Sequence, residues 1–308
     1  MKAAVAVRDV VKTYGTKKEP VEALKGISFE VAPGELFGLI GPDGAGKTTL
    51  FRILTTVLLA DSGDAEVDSF DVVRDFKQIR QRVGYMPGRF SLYQDLTVAE
   101  NLQFFATIFN TSIEENYELV RDIYVQIEPF KDRRAGKLSG GMKQKLALCC
   151  ALIHRPTVLF LDEPTTGVDA VSRKEFWEML QKLKSQGITI LVSTPYMDEA
   201  SLCDRVALMQ QGRLMQIDTP EGVISSFGKP LLAVKGPQMS HLLQDLQTYP
   251  GLLDSYPFGE YHHAVLKPET TEQDLKVYLQ QKGHAQLEVQ PIQPNIEDCF
   301  MDLMKTAS

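Results

Sequence analysis

Three things are scarce in this sequence: long apolar runs, cysteine, and any excess of basic residues. No stretch reaches the roughly 18 consecutive apolar residues of a membrane-spanning helix, and the longest candidate, residues 146–153, stops far short. Nothing in the chain is therefore expected to cross a bilayer. The opening residues 1–7 run straight into Arg8 and Asp9, without the apolar core and small-residue cleavage site of a secretory signal, so a cytoplasmic chain is expected. The four cysteines fit neither zinc spacing nor a secreted disulfide framework: Cys149 and Cys150 adjoin in an apolar helical run, while Cys203 and Cys299 stand alone. All four read as reduced packing residues. With 33 Lys and Arg against 40 Asp and Glu, the formal charge is −7, which argues against a broad basic face and against a nucleic-acid partner.

What is present is ordinary globular material, 44% hydrophobic and 24% charged, enough to bury a core and too apolar for a disordered polymer. A length of 308 residues suggests one large domain with a smaller appendage, at roughly 100–200 residues per domain. The strongest local signal is Gly41-Pro42-Asp43-Gly44-Ala45-Gly46-Lys47-Thr48-Thr49, which satisfies the P-loop pattern. It follows the apolar run Leu36-Phe37-Gly38-Leu39-Ile40 and precedes a helix expected over about residues 47–58. Strand, glycine turn and helix thus come in the order that lets backbone N–H groups and a helix N-terminus face phosphate oxygens. Lys47 adds a mobile positive charge for the β- and γ-phosphates of ATP. Thr48 offers a hydroxyl to Mg²⁺, and Thr49 is a further phosphate contact.

Downstream, Val158-Leu159-Phe160-Leu161-Asp162-Glu163-Pro164 is a buried-strand run ending in two carboxylates, a Walker B pattern. Asp162, on a parallel strand expected next to the P-loop strand, suits Mg²⁺, usually through water. Glu163 is the candidate base for the attacking water. The alternative is a strand end capped by acidic residues, a minor reading for this motif alone and a weaker one with the P-loop upstream.

Shortly before it, Leu138-Ser139-Gly140-Gly141-Met142-Lys143-Gln144 resembles the signature motif of the ATP-binding-cassette (ABC) ATPases. Ser139, Gly140 and Gly141 open a helix, so a hydroxyl, bare N–H groups and the helix dipole form a second anion site. The resemblance runs over about residues 5–222. It implies a P-loop NTPase fold, a mainly parallel α/β core with a helical insertion at about residues 89–134. It also implies a head-to-tail dimer in which the P-loop of one subunit and the signature of the other sandwich ATP. Tyr14 matches the aromatic residue that stacks on adenine, its alternative being a packing residue at a strand end. Asp169, in Thr166-Gly167-Val168-Asp169, matches the acidic residue that links the two composite sites. Residues 92–102 resemble the segment that touches the membrane permease subunits. The closest look is to the ATPases of ABC-2-type exporters, which implies a protein peripheral on the inner face of the cell membrane.

Two positions depart from that pattern. Where the family carries a glutamine after Tyr85-Met86-Pro87, this chain has Gly88, with no side-chain donor or acceptor. Where the family carries a switch histidine before Tyr196-Met197-Asp198-Glu199-Ala200, it has Pro195, which lacks even an N–H. By analogy with oxyanion-hole donors, one such loss costs roughly 10²–10³ in rate. The expectation is a site that binds ATP and hydrolyses it slowly, paired in a heterodimer with a complete cassette; a homodimer in which Glu163 suffices is the alternative. A soluble cassette acting on ribosomes or DNA is a weaker reading, since paired cassettes or long coiled coils are absent.

The motifs end near residue 228, so domains of 1–228 and 229–308 are expected. In the tail, strands at 231–235, 252–256, 262–267 and 287–291 alternate with helices at 239–248 and 271–281, a β-α-β-β-α-β order of ferredoxin-like type. A last amphipathic helix covers 295–304. His262 and His263 read as an exposed strand pair without metal-ligand company.

Overall fold

Strands buried on both faces need apolar residues at consecutive positions. Three segments meet that demand and centre the first unit: β3 (Leu36–Ile40), β7 (Val158–Asp162) and β8 (Thr189–Thr194) are buried throughout. With β6 (Val83–Met86), β9 (Arg205–Gln210) and β10 (Arg213–Asp218) they form a six-stranded sheet of order β10-β9-β3-β8-β7-β6. All its neighbours pair parallel except β10 with β9. A second, antiparallel sheet has the order β2-β1-β4-β5, from β1 (Val5–Thr16), β2 (Glu19–Val31), β4 (Ser62–Val67) and β5 (Phe70–Asp71). The computed structural model describes residues 2–16 and 19–306.

Helix α1 (Lys47–Leu54) lies between these sheets' strands in the main core, with Leu50, Phe51, Ile53 and Leu54 buried; Phe51 meets Phe160 of β7 edge-on at 5.5 Å. It ends before the residue 58 expected, because Thr56 turns left-handed at φ 62. After α2 (Phe76–Arg80) comes the helical segment: α3 (Val98–Ile108), α4 (Tyr117–Tyr124) and, past two short 3₁₀ turns, α5 (Gly140–Leu152). A reciprocal Thr97–Glu100 capping box starts α3. The buried Asn101 side chain ties down the preceding loop by bonding the backbone of Tyr93, Leu96 and Thr97. Helix α6 (Ala170–Ser185) follows β7.

The chain divides into compact units between Pro220 and Glu221, at the start of α7 (Pro220–Ser225), whereas the motifs place the boundary near residue 228. In the second unit, β11 (Leu231–Lys235), β12 (Leu252–Phe258), β13 (Tyr261–Leu266) and β14 (Glu288–Pro291) form an antiparallel sheet of order β12-β13-β11-β14. Helices α8 (Met239–Gln247) and α9 (Glu272–Gln281) supply Leu242, Leu246, Leu275 and Leu279 to its core. That order and connectivity are those of a split β-α-β unit. His262 and His263 are buried rather than exposed. Adjacent strand residues point to opposite faces, and each face is covered: His262 Nε2 donates to Met239 O of α8 at 2.7 Å, and His263 Nδ1 to Asp298 of α10 (Ile296–Thr306) at 2.6 Å.

Candidate active site

The loop from β3 to α1 is shaped by close backbone approach. A Cβ at Gly41 would lie 2.1 Å from Met209 O, and one at Gly46 2.5 Å from Ala23 O, so neither position accepts a larger residue without backbone movement. Gly46 also takes φ 109 as N-cap of α1 and offers no side chain to the first N–H groups of the helix. Uncapped donors at the positive end of a helix suit an anion. Over them lies an open cleft of about 490 Å³ lined by Ala23, residues 43–49 and Glu163. Lys47 is buried; its Nζ donates to Gly41 O at 2.7 Å and Pro42 O at 3.0 Å and lies 3.1 Å from Glu163 Oε1. Phosphate oxygens are acceptors of the same kind, so a nucleotide can take over the ammonium. Tyr14, at the rim, brings its hydroxyl to 3.4 Å from Thr49 Oγ1 and leaves its ring partly exposed.

The carboxylates stand at the C-terminal end of β7. The expectation that this strand adjoins the P-loop strand is corrected: β8 lies between β3 and β7. Its insertion sets Ser193 opposite Asp162 in register. Asp162 Oδ1 accepts from Ser193 Oγ at 2.6 Å and from Thr48 Oγ1 at 3.1 Å. This hydroxyl–carboxylate pair is an all-oxygen donor set of the kind Mg²⁺ takes, with water and phosphate completing its shell, so Thr48 and Asp162 fit that ion. Glu163 is left-handed at φ 50, a conformation that costs an L-residue about 1–2 kcal/mol. Its N–H donates to Ser193 O at 3.0 Å and Ser193 Oγ at 3.1 Å, and its carboxylate turns to Lys47. Nearby, burial and then the charge of Asp162 push the Tyr85 phenol up to about 12, so it stays neutral. Ser193 had no local signal in sequence, being one hydroxyl in an apolar strand.

Both departures border this cluster. A Cβ on Gly88 would come 3.0 Å from Asp162 O and 3.8 Å from Glu163 Cβ, so position 88 touches the carboxylate turn and supplies it with no side chain. Pro195 follows Thr194, whose carbonyl accepts from Gly41 N at 3.2 Å. The signature sits apart. Ser139 caps α5, its Oγ accepting from Met142 N at 3.3 Å, and a Cβ on Gly141 would meet Ser172 Oγ of α6 at 3.0 Å. Asp169 in turn caps α6, and bonds from the Ser172 and then the Val171 N–H hold its carboxyl below the usual range. Neither Ser139, Gly140, Gly141 nor Asp169 lines the P-loop cleft among the described residues. The fold thus gathers Tyr14, the P-loop, Asp162 and Glu163, and keeps Ser139, Gly140 and Gly141 out of the cleft's lining.

The profile of the family described as ABC transporter matches residues 24–166. The chain is 37% identical over 306 residues to the probable multidrug ABC transporter ATP-binding protein YbhF of Escherichia coli (strain K12), covering 98% of this chain but 52% of that protein. It thus spans about half the length of that relative. To the Nod factor export ATP-binding protein I of Burkholderia thailandensis it is 36% identical over 309 residues, 98% of this chain and 97% of the other. Among solved structures, the dimeric post-hydrolysis state of the ATP-binding cassette MJ0796 bound to ADP and Pi superposes with a TM-score of 0.63 at 25% identity, covering 70% of this chain and 98% of that one. With the P-loop and the paired carboxylates in this arrangement, and with a relative at 36% identity matched over 97% of its own length, the chain belongs to the ABC transporter family as an ATP-binding cassette.

Proposed function

We propose that this chain is the ATP-binding and ATP-hydrolysing subunit of a membrane exporter, working as half of a head-to-tail cassette dimer. One observation carries the reading: Lys47, Thr48 and Glu163 line the P-loop cleft, with Asp162 bonded to Thr48 beneath it, while Ser139, Gly140 and Gly141 do not line it. A signature outside its own cleft suits a second cassette subunit, whose ATP it would complete. Lys47 grips the β- and γ-phosphates; Thr48 and Asp162 hold Mg²⁺; Glu163, released from Lys47, accepts a proton from the attacking water. When bound, Mg²⁺ neutralises phosphate charge and orients the leaving group. Tyr14 stacks on the base, and Asp169 couples the two sites.

Gly88 and Pro195 weaken hydrolysis at this chain's own site. ATP there acts mainly to hold the dimer closed, and the intact signature serves a partner cassette with complete motifs. Names of relatives, one a probable multidrug ABC transporter ATP-binding protein and one a Nod factor export ATP-binding protein, support export; permease partners and a position on the inner face of the membrane belong to the same proposal. No described helix is long and apolar enough to cross a membrane itself. Steady-state phosphate release by the purified chain tests this: slow turnover is expected, and brisk turnover abolished by Glu163→Gln would replace the heterodimer with a self-sufficient homodimer.

A further inference from the structure

Ser193 is a fully buried hydroxyl in a strand otherwise made to be apolar at its centre, and a buried hydroxyl is unfavourable unless it is bonded. Both of its bonds end on the two consecutive carboxylate residues of the site. Its proton goes to Asp162 Oδ1 over 2.6 Å, the short distance of a charge-assisted O–H···O⁻ bond. Its lone pair receives Glu163 N–H over 3.1 Å. Glu163 holds a left-handed backbone, φ 50, that its own side chain disfavours, so this bond and the one to Ser193 O clasp it there. Thr48 shares Oδ1 with Ser193, and Oδ2 takes no part in either bond. The carboxylate of Asp162 is thereby held through Oδ1, and Oδ2 is the oxygen that would be free for a metal-bound water.

We infer that Ser193 is the positioning residue of the hydrolytic pair: one hydroxyl orients the Asp162 carboxylate toward Mg²⁺ and fixes the backbone turn that aims Glu163. This rests on the reading of the site as an ATPase. It gains weight from Gly88 and Pro195, because the side chains that flank this cluster from β6 and from the end of β8 are missing. Partners that orient a metal ligand are typically worth 10–100-fold in metal affinity or activity.

The test uses the full chain carrying Ser193→Ala, Ser193→Cys or Ser193→Thr, with a fluorescent ATP analogue titrated in EDTA and then against Mg²⁺, and with Mn²⁺ paramagnetic resonance of the nucleotide complex. In EDTA all variants that fold bind the analogue like wild type, because the P-loop is untouched. Ser193→Ala needs about 10–100-fold more Mg²⁺ for half its effect on analogue binding and gives a broadened Mn²⁺ spectrum. Ser193→Cys, nearly the same size with a weak donor, shifts the same way, and Ser193→Thr, which keeps the hydroxyl, stays near wild type. An unshifted Mg²⁺ midpoint in the Ala and Cys variants overturns the inference. A wild-type chain that binds no analogue under either condition overturns the ATPase reading beneath it.

Discussion

On the proposed reading, replacing Pro195 by histidine would restore a donor for the transferring phosphoryl group. The local backbone can accept the change. Thr194 is already extended at the end of β8, and its Oγ1 accepts from Tyr196 N at 3.1 Å, so the turn is held on both sides of the substituted position. Giving up the rigidity of proline costs about 0.4–1 kcal/mol through the unfolded chain. A donor aimed at developing charge lowers a barrier by about 2.7–4 kcal/mol, or 10²–10³ in rate. The catalytic gain exceeds the stability loss severalfold, so kcat should rise by about 10²–10³ while the folded fraction at assay temperature hardly changes. Gly88→Gln is a poorer restoration. Its Cβ would meet Asp162 O at 3.0 Å, so backbone must shift at the residue that carries the metal carboxylate, and the gain should be smaller than for Pro195→His. Phosphate release under single-turnover and steady-state conditions measures both. Wild-type turnover already at about 1 s⁻¹ or faster, an ordinary enzyme rate, together with no gain in Pro195→His, would refute the argument that these two positions limit the site.

Two further outcomes test the packing. His154 stacks on Phe109 at 3.7 Å and donates from Nε2 to Val83 O, and burial lowers its pKa from 6.5 to about 4. Between those values the unfolded chain binds a proton that the folded chain refuses, so stability is fully present above pH 6.5 and falls as pH drops through the window toward 4, by on the order of 3 kcal/mol. Urea midpoints at pH 7.5 and 5 should differ less in His154→Phe than in wild type. In the second unit, Asp298 accepts from His263 Nδ1 at 2.6 Å, Tyr256 OH at 2.8 Å and Asn295 N at 2.8 Å. Asp298→Ala strands two buried side-chain donors at about 1–3 kcal/mol each; hydrogen exchange should accelerate in residues 221–306 while binding of a fluorescent ATP analogue persists.

The parts of the site that were legible in the sequence are those whose chemistry is local. The P-loop announces itself because glycine at 41 and 46 is demanded by close contacts, and the contacting atoms, Met209 O and Ala23 O, never need to be known to see the pattern. Asp162 and Glu163 were visible as carboxylates ending an apolar run. What could not be seen depends on strand order. Ser193 becomes part of the site only because β8 inserts between β3 and β7, which a run of apolar residues does not encode. The same limit misled the reading of His262 and His263. Alternation gives one face per residue, but whether a face is covered depends on α8 and α10, one of them more than thirty residues away in sequence. The end of α1 differs from the expected residue 58 for a smaller reason, a left-handed threonine at 56 that propensity gives no cause to expect.

The residues kept and the residues lost differ in when they would act. On the proposed reading, Lys47, Thr48, the P-loop glycines and Tyr14 would meet groups that ATP presents before any bond changes, and so would contribute to ground state and transition state alike and set affinity. Positions 88 and 195 border the end of β7 and the end of β8, where the attacking water and the departing charge would be, so their side chains matter most in the transition state. A chain that keeps the first set and lacks the second should show ordinary KM and low kcat. Restoration by Pro195→His should then raise kcat with KM nearly unchanged, whereas a fall in KM at constant kcat would mean that histidine merely adds a ground-state contact. The Lys47–Glu163 pair, 3.1 Å apart, supplies an internal check on this division. A nucleotide that draws Lys47 onto its phosphates would free Glu163, so slow turnover measured with ATP bound would point to positions 88 and 195 and not to a base held by the lysine.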